Sequence, residues 1–257
     1  MTSSLPLVLC LSGHDPTGGA GLHADIEAVA ACGGHALSII TAHTVQDTSD
    51  VLRVTPVAPL LIAQQIETLA NDVEISAIKI GLLGDAEQIP PLVQWIQRLQ
   101  KPVVFDPVLR AGGGSNLASA ALIAAVIEQL LPHITLLTPN AAEARRLAPR
   151  QGSLGLCAQE LLAIGCNNIL ITGGDEVGHS VINTWHAHGQ PPKIFEWPRL
   201  PETFHGAGCT LAAACAAFLA QGLEMGDAIQ NAQTYTQNTL QNALRIGQGR
   251  RIPGRRA

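Results

Sequence analysis

At 257 residues and 47% hydrophobic content, the chain is long enough to bury a full core, and its short apolar runs broken by Gly and Pro read as one domain spanning residues 1–257. The formal net charge is −5 and only three lysines (Lys79, Lys101, Lys193) stand among fifteen cationic residues, so there is no basic stripe for a phosphate backbone and nucleic acid is excluded as a partner. Neither a basic leader nor an apolar stretch of membrane-spanning length is read, and six cysteines without a C-x-x-C pair suit reduced thiols, so a cytoplasmic protein with no membrane partner is expected.

In chain order, the apolar and β-branched runs predict strands near 6–12, 35–41, 77–80, 102–106, 134–138 and 168–172. Between and after them, Ala- and Leu-rich periodic segments predict helices near 20–32, 57–71, 86–99, 117–131, 140–148, 155–165, 208–221 and 226–244. Two stretches at 178–185 and 193–197 lack helical periodicity and read as a late hairpin or edge strands. The alternation is that of βαβ units, so the expected class is α/β, with a mostly parallel central sheet and helices on both faces. Ligands of such sheets sit beyond the carboxyl ends of the strands, which directs attention to the strand-to-helix loops.

The first of these loops, Gly13-His14-Asp15-Pro16-Thr17-Gly18-Gly19-Ala20-Gly21, carries glycine at four of nine positions and allows close approach of a ligand to backbone. Its Gly19-Ala20-Gly21-Leu22-His23-Ala24 fits a relaxed G-x-G-x-x-A dinucleotide fingerprint, but it begins about seven residues after the strand rather than at once. No Gly-Lys dipeptide occurs, which excludes a Walker A loop.

The loop after 102–106 begins Asp106-Pro107-Val108, where a carboxylate at a strand end suits Mg²⁺ beside phosphates and equally suits the simple stopping of a strand. Thr138-Pro139-Asn140-Ala141-Ala142-Glu143 reads as an N-cap with its capping-box partner, or as a second carboxylate facing the same crevice as Asp106. His205-Gly206-Ala207-Gly208-Cys209-Thr210 bares backbone N–H groups at a helix start, an anion hole, or else forms a turn with Cys209 as a small core residue. The dipole there favours a Cys209 thiolate, while an approaching phosphate opposes one. The arginines at 250, 251, 255 and 256 read as a solvated terminus or a phosphate contact. Lys79, in an apolar strand, reads as a stem buried along the sheet with its ammonium reaching the end, and His14 and His43 read as surface or ring-facing imidazoles near the pocket.

Taken together and in this order, the loops resemble those of the ribokinase superfamily, and specifically its hydroxymethylpyrimidine and phosphomethylpyrimidine kinases. The likeness rests on Gly18-Gly19-Ala20-Gly21 with Ala24-Asp25, Val45-Gln46-Asp47-Thr48, Lys79-Ile80-Gly81, Asp106-Pro107-Val108, Thr138-Pro139-Asn140 with Glu143-Ala144, and His205 to Thr210. It implies a three-layer ribokinase-like fold and ATP-dependent phosphorylation of 4-amino-5-hydroxymethyl-2-methylpyrimidine and then of its monophosphate, in thiamine biosynthesis. It places Gly13, Asp25, Gln46 and Leu82 at the pyrimidine, with the Gln46 amide supplying both donor and acceptor to the ring edge. It places Asn140, Thr172 and Gly174 at ATP, Asp106 and Glu143 at Mg²⁺, and Cys209 with Gly206, Ala207 and Gly208 at the transferred phosphoryl group. A homodimer is also implied by the resemblance.

The chain departs from that pattern at Thr172, where the family carries Lys, and at Ala111-Gly112-Gly113-Gly114-Ser115-Asn116, which replaces a basic and Ser-Gly stretch. Pyridoxine or pyridoxal kinase, a non-catalytic pyrimidine-binding protein and a dinucleotide-dependent oxidoreductase remain the competing readings.

Overall fold

The structure is a computed structural model that describes residues 5–150 and 152–255. Its strands form a single nine-stranded sheet in the order β3-β2-β1-β4-β5-β6-β7-β8-β9. The parallel part comprises β1 (Leu7–His14), β2 (His35–Gln46), β4 (Ala77–Ile80), β5 (Val103–Phe105), β6 (Leu136–Leu137) and β7 (Asn168–Ile171). Antiparallel strands close both ends: β3 (Val51–Pro56) on β2, and the hairpin β8 (Ser180–Ala187) and β9 (Lys193–Pro198) on β7.

Period-2 alternation divides the side chains of β1 between two cores. Leu9 and Leu11 pack with Ile62 and Ile66 of α2 (Pro59–Asp72) and with Ile89, Leu92 and Ile96 of α3 (Ile89–Leu99). Val8 and Cys10 face the other way, onto α1 (Gly21–Ala31), α7 (Ala207–Ala220) and α8 (Met225–Gln241). The remaining helices, α4 (Ala120–Ala125), α5 (Ala141–Leu147) and α6 (Leu154–Ile164), join the α2–α3 face. Helices on both faces of a mostly parallel sheet give the three layers expected from the sequence.

Helix starts follow capping chemistry. Ser119 and Ser153 accept the backbone N–H of Leu122 and Leu156 at 3.1 and 3.3 Å, and Pro59 opens α2 where no N–H is needed. α7 is the most buried helix, with every residue from Thr210 to Ala217 inside; its Ala and Cys side chains let it lie close to the sheet.

Three expectations change. Strand β3 was not read from the sequence, because a short edge strand ending in Pro56 and largely exposed lacks alternation strong enough to signal itself. The 117–131 helix is only six α-helical residues, followed by a π turn at Val126–Leu130 and a 3₁₀ turn at Leu131–His133, where Pro132 interrupts the helical ladder. Of the C-terminal arginines, Arg255 is not part of a solvated end. Arg255 is fully buried, donating to Thr210 Oγ1 at 2.8 Å, Gly18 O at 3.3 Å, Gly19 O and Glu27 Oε2 at 3.2 Å, so the tail straps the first Gly-rich loop to α7. Arg256 lies outside the described residues.

Candidate active site

The connection β1–α1–β2 runs to one side of β1 while β4 takes the other, so the chain reverses direction there and opens a crevice at the carboxyl ends of β1 and β4. A cavity of about 450 Å³ occupies it and extends across the ends of β5, β6 and β7. Gly13, Gln46 and Leu82, from the ends of β1, β2 and β4, line one end. Asp106, after β5, and Gly206 to Cys209, at the start of α7, line the middle. Asn140, Glu143, Thr172 and Gly174, after β6 and β7, line the other end.

Asp25 is the exception among the residues expected at the site: it does not line the cavity. It sits in the first turns of α1, fully buried beneath the cavity, with Oδ1 2.7 Å and Oδ2 2.9 Å from Lys79 Nζ and with Ser12 Oγ donating to Oδ2 at 2.5 Å. Its carboxylate is needed by a cation that cannot reach water. Burial works against the Lys79 charge, but the carboxylate of Asp25 and the negative groups around Cys209 and Asp106 outweigh it and hold the ammonium above its usual pKa. The Lys79 stem runs along the sheet as expected and its ammonium reaches the carboxyl end of β4, against Gly81 and Ser12, where it is enclosed. His14 and His43 are exposed, their rings 6.1 Å apart edge to face, and do not line the cavity.

The start of α7 forms a bare helix terminus. Its N-cap, Gly206, has φ 89° and no side-chain cap, and a Cβ there would run into Gly19 O, so a glycine is required. The N–H groups of Ala207, Gly208 and Cys209 have no partner among the described residues; the first bonded amide is Thr210 N–H, to Gly206 O at 3.0 Å. Unpaired amides and the positive end of the dipole point at one place.

Asp106 faces this terminus: a Cβ on Gly208 would lie 3.6 Å from its Oδ1. Burial raises its pKa, against the opposing Lys79 charge and the contact of the Cys209 thiol. The Cys209 thiol is itself pushed up to about 12, first by burial and then by Asp106, while Lys79 and the Gly21 N–H oppose the shift. Cys209 therefore rests as a neutral thiol.

Glu143 satisfies both readings of its motif at once. Its Oε2 accepts the Asn140 N–H at 2.9 Å while Asn140 Oδ1 accepts the Glu143 N–H at 2.8 Å, a complete capping box, and Oε1 accepts the Leu109 N–H at 3.3 Å. Burial, then the charge of Asp106, push its pKa up to about 8. Two buried carboxylates, both held above their usual pKa, one of them partly by the other, have the chemistry to accept a divalent cation. Among the described residues no cluster of three or more His, Cys, Asp or Glu that could hold a metal ion is present.

Two site residues escaped the sequence reading. Asp15 lines the cavity and gathers the first loop: Oδ1 accepts the Thr17 N–H at 2.8 Å, Oδ2 the Ala20 N–H at 2.8 Å, and His205 Nε2 lies 2.8 Å from Oδ2. Burial works to raise its pKa, but the bonds from His205 and Thr17 outweigh it and hold the carboxyl low. An Asp two residues before Thr and ahead of a Gly pair is the available signal, that of an Asx turn. Arg199, after β9, donates to the carbonyls of Gly173, Gly174, Glu176, Gly178 and Ser180 at 2.7–3.3 Å and so shapes the turn after β7. Behind that turn, Asn183 Oδ1 accepts the Gly173 N–H at 3.0 Å, and Gln233 Oε1 accepts from Asn183 Nδ2 and Trp197 Nε1 at 2.8 and 3.0 Å.

A family profile described as phosphomethylpyrimidine kinase matches residues 15–253. The chain belongs to the phosphomethylpyrimidine kinase family. It is 37% identical to the hydroxymethylpyrimidine/phosphomethylpyrimidine kinase of Synechococcus elongatus, over 96% of this chain and 95% of that one. Among solved structures it is similar to the phosphomethylpyrimidine kinase of Clostridium difficile, with TM-score 0.79, 26% identity and coverage of 92% and 100%. It is also similar to the pyridoxal kinase of Staphylococcus aureus in complex with pyridoxal, with TM-score 0.90, 27% identity and coverage of 99% and 95%. The fold and the family thus agree with the resemblance carried by the loops. Among the described residues no helix is long and apolar enough to cross a membrane.

Proposed function

We propose that this kinase transfers the ATP γ-phosphoryl group to the hydroxymethyl oxygen of 4-amino-5-hydroxymethyl-2-methylpyrimidine and then to the resulting monophosphate, as a step of thiamine biosynthesis. The observation that carries the reading is the single cavity whose middle is the bare terminus of α7 facing Asp106, with Gln46 at one end and the turn after β7 at the other. A flat aminopyrimidine enters between Gly13, Leu82 and Gln46, whose amide supplies both a donor and an acceptor to the ring edge. ATP lies toward Asn140, Thr172 and Gly174, and the amides of Ala207 to Cys209 receive the charge that develops on the transferred group.

Asp106 and Glu143 would hold Mg²⁺, which supplies charge neutralisation at the phosphate oxygens when bound. Cys209, a neutral thiol, orients the acceptor hydroxyl rather than waiting as a free base; in a loose transition state the hydroxyl proton leaves late. We place the reaction in the cytoplasm, in keeping with six free cysteines, and on a homodimer, whose contact surface we assign to the exposed apolar Val45, Leu52, Leu60 and Leu61 around the β3 edge.

The test is a product assay by mass spectrometry with ATP, Mg²⁺ and the pyrimidine alcohol: a monophosphate followed by a diphosphate is expected, and absence of both refutes the reading. A second reading, pyridoxal kinase, is favoured by the likeness to the Staphylococcus aureus enzyme. The same assay with pyridoxal separates the two by their kcat/KM.

A further inference from the structure

Among the described residues, the cavity wall carries three arginines and one histidine: Arg110, Arg199, Arg250 and His205. Two of the four are committed, Arg199 to the carbonyls of the turn after β7 and His205 to Asp15. Arg110 and Arg250 keep free N–H groups, although the Arg250 charge also acts on the Asp50 carboxylate. Arg110 directs Nε and Nη2 to Gly114 O at 3.1 and 2.9 Å, leaving Nη1, and Arg250 directs Nη2 to Gly112 O, leaving Nη1 and Nε.

Arg250 reaches the wall from the C-terminal strap. Its own N–H donates to Thr48 O at 2.9 Å and the Gly249 N–H donates to Thr48 Oγ1 at 2.9 Å, which fixes the backbone beside the turn after β2. Its guanidinium fills the place of a side chain at position 112, since a Cβ on Gly112 would collide with Nη1. The loop carrying Gly112 is tied to that same turn by Ser115 Oγ, which donates to Asp50 Oδ2 at 2.8 Å. The strap, the turn at 47–50 and the loop at 110–116 therefore meet on the cavity wall beside Gln46 and Val51, and the loop's first residues also adjoin the Asn140–Glu143 cap, since the Leu109 N–H donates to Glu143 Oε1 at 3.3 Å.

From this placement we infer that Arg110 and Arg250 form an anion site for the phosphate of the monophosphorylated acceptor, an inference that rests on the kinase reading above. In the second transfer a phosphate oxygen of the acceptor attacks the γ-phosphorus, the bond from that phosphorus to the β-phosphate bridging oxygen breaks, and the electron pair leaves with ADP. A phosphoanhydride forms. The acceptor phosphate, with a second pKa near 6, is largely dianionic above neutral pH and must approach a triphosphate in a cavity that already holds Asp106 and Glu143. Two guanidiniums with free N–H groups, whose planar geometry matches phosphate, offset that repulsion; the uncharged alcohol has no such requirement.

The test compares the parent with Arg110→Ala, Arg250→Ala, the double variant and Arg250→Lys. Steady-state rates are read with the alcohol and with the monophosphate as acceptor, and the monophosphate alone is titrated calorimetrically without ATP. The double variant is expected to lose roughly 10- to 100-fold in kcat/KM for the monophosphate, the span for losing charge-assisted hydrogen bonds, and about the same in its calorimetric affinity. The alcohol is expected to lose only a few-fold, with Arg250→Lys partly restored. Equal losses for both acceptors would overturn the proposal, as would a raised KM for ATP measured with the alcohol, or an unchanged calorimetric affinity. A parent that binds the monophosphate through these arginines but phosphorylates neither acceptor would sink the kinase reading and leave the anion site standing.

Discussion

Replacing Glu143 by Gln tests the electrostatics of the cavity without opening it. Glu143 has its pKa pushed up to about 8 from the 4.5 of an ordinary glutamate, chiefly by burial. A raised carboxyl means that the folded protein holds a proton the unfolded chain has released. Its contribution to stability is complete below about pH 4.5 and is lost as pH rises through about 8, after which it is flat. A difference of about 3.5 pKa units at about 1.36 kcal/mol each bounds the loss at roughly 5 kcal/mol. Gln cannot ionise, and it keeps one acceptor for the Asn140 or Leu109 N–H, sacrificing about 1 kcal/mol for the other. In protein freed of divalent metal, urea unfolding from pH 5 to pH 9 should therefore show the variant no more stable than the parent at the acid end and more stable by several kcal/mol at the alkaline end. Asp106, also raised, leaves a smaller slope of the same sign in both proteins. Stability curves that stay parallel across this range would refute the assignment of a costly buried charge at Glu143.

Asp25→Asn should destabilise the protein by about 3–5 kcal/mol, because the buried Lys79 ammonium loses its counter-charge, whereas the double change Asp25→Leu with Lys79→Met should recover much of that loss. Urea midpoints measure both, and a full-stability Asn variant with a raised KM for the pyrimidine would return Asp25 to the substrate. For Cys209→Ala, the expected loss in kcat with the alcohol is roughly 10² to 10³ and with the monophosphate less than about tenfold, with Cys209→Ser retaining much of the alcohol rate. Single-turnover rates with each acceptor check this, and an equal loss for both would assign Cys209 to the anion hole alone.

The parts of the fold legible in the sequence are those in which local pattern and burial agree. Leu9 and Leu11 alternate with Val8 and Cys10 because β1 is covered on both faces, and the hairpin β8–β9 announces itself by β-branched and aromatic residues. The loops at 13–21, 106–108 and 138–143 could be read from strand ends and that at 205–210 from a helix start, and the structure brings the four together at the cavity. What could not be read depends on which way a side chain turns. Asp25 lies on a helix adjoining the Gly-rich loop, but only the three-dimensional packing of α1 over β1, the neighbour of β4, brings its carboxylate to Lys79. The long-range partners of Arg199 and Arg255 have no local signature, since every acceptor is a backbone carbonyl or a residue distant in sequence. Cys209 was legible in position but not in charge, because the dipole is a property of its own helix and the desolvation belongs to everything packed around it.

Two successive transfers in one cavity impose different chemical demands, and the arrangement of charges separates them. The alcohol must lose a proton and carries no charge, so what it needs is a partner for its hydroxyl at the α7 terminus; a neutral thiol held beside a carboxylate of raised pKa offers that without adding a negative charge to a site about to receive phosphates. The monophosphate, dianionic above its second pKa near 6, has no such proton to lose but brings charge of its own, so its demand falls on cations at the acceptor end. A thiolate at Cys209 would serve the first acceptor and repel the second. Burial that keeps the thiol protonated thus makes the same helix terminus compatible with both acceptors, and leaves the discrimination between them to Arg110 and Arg250 on the cavity wall.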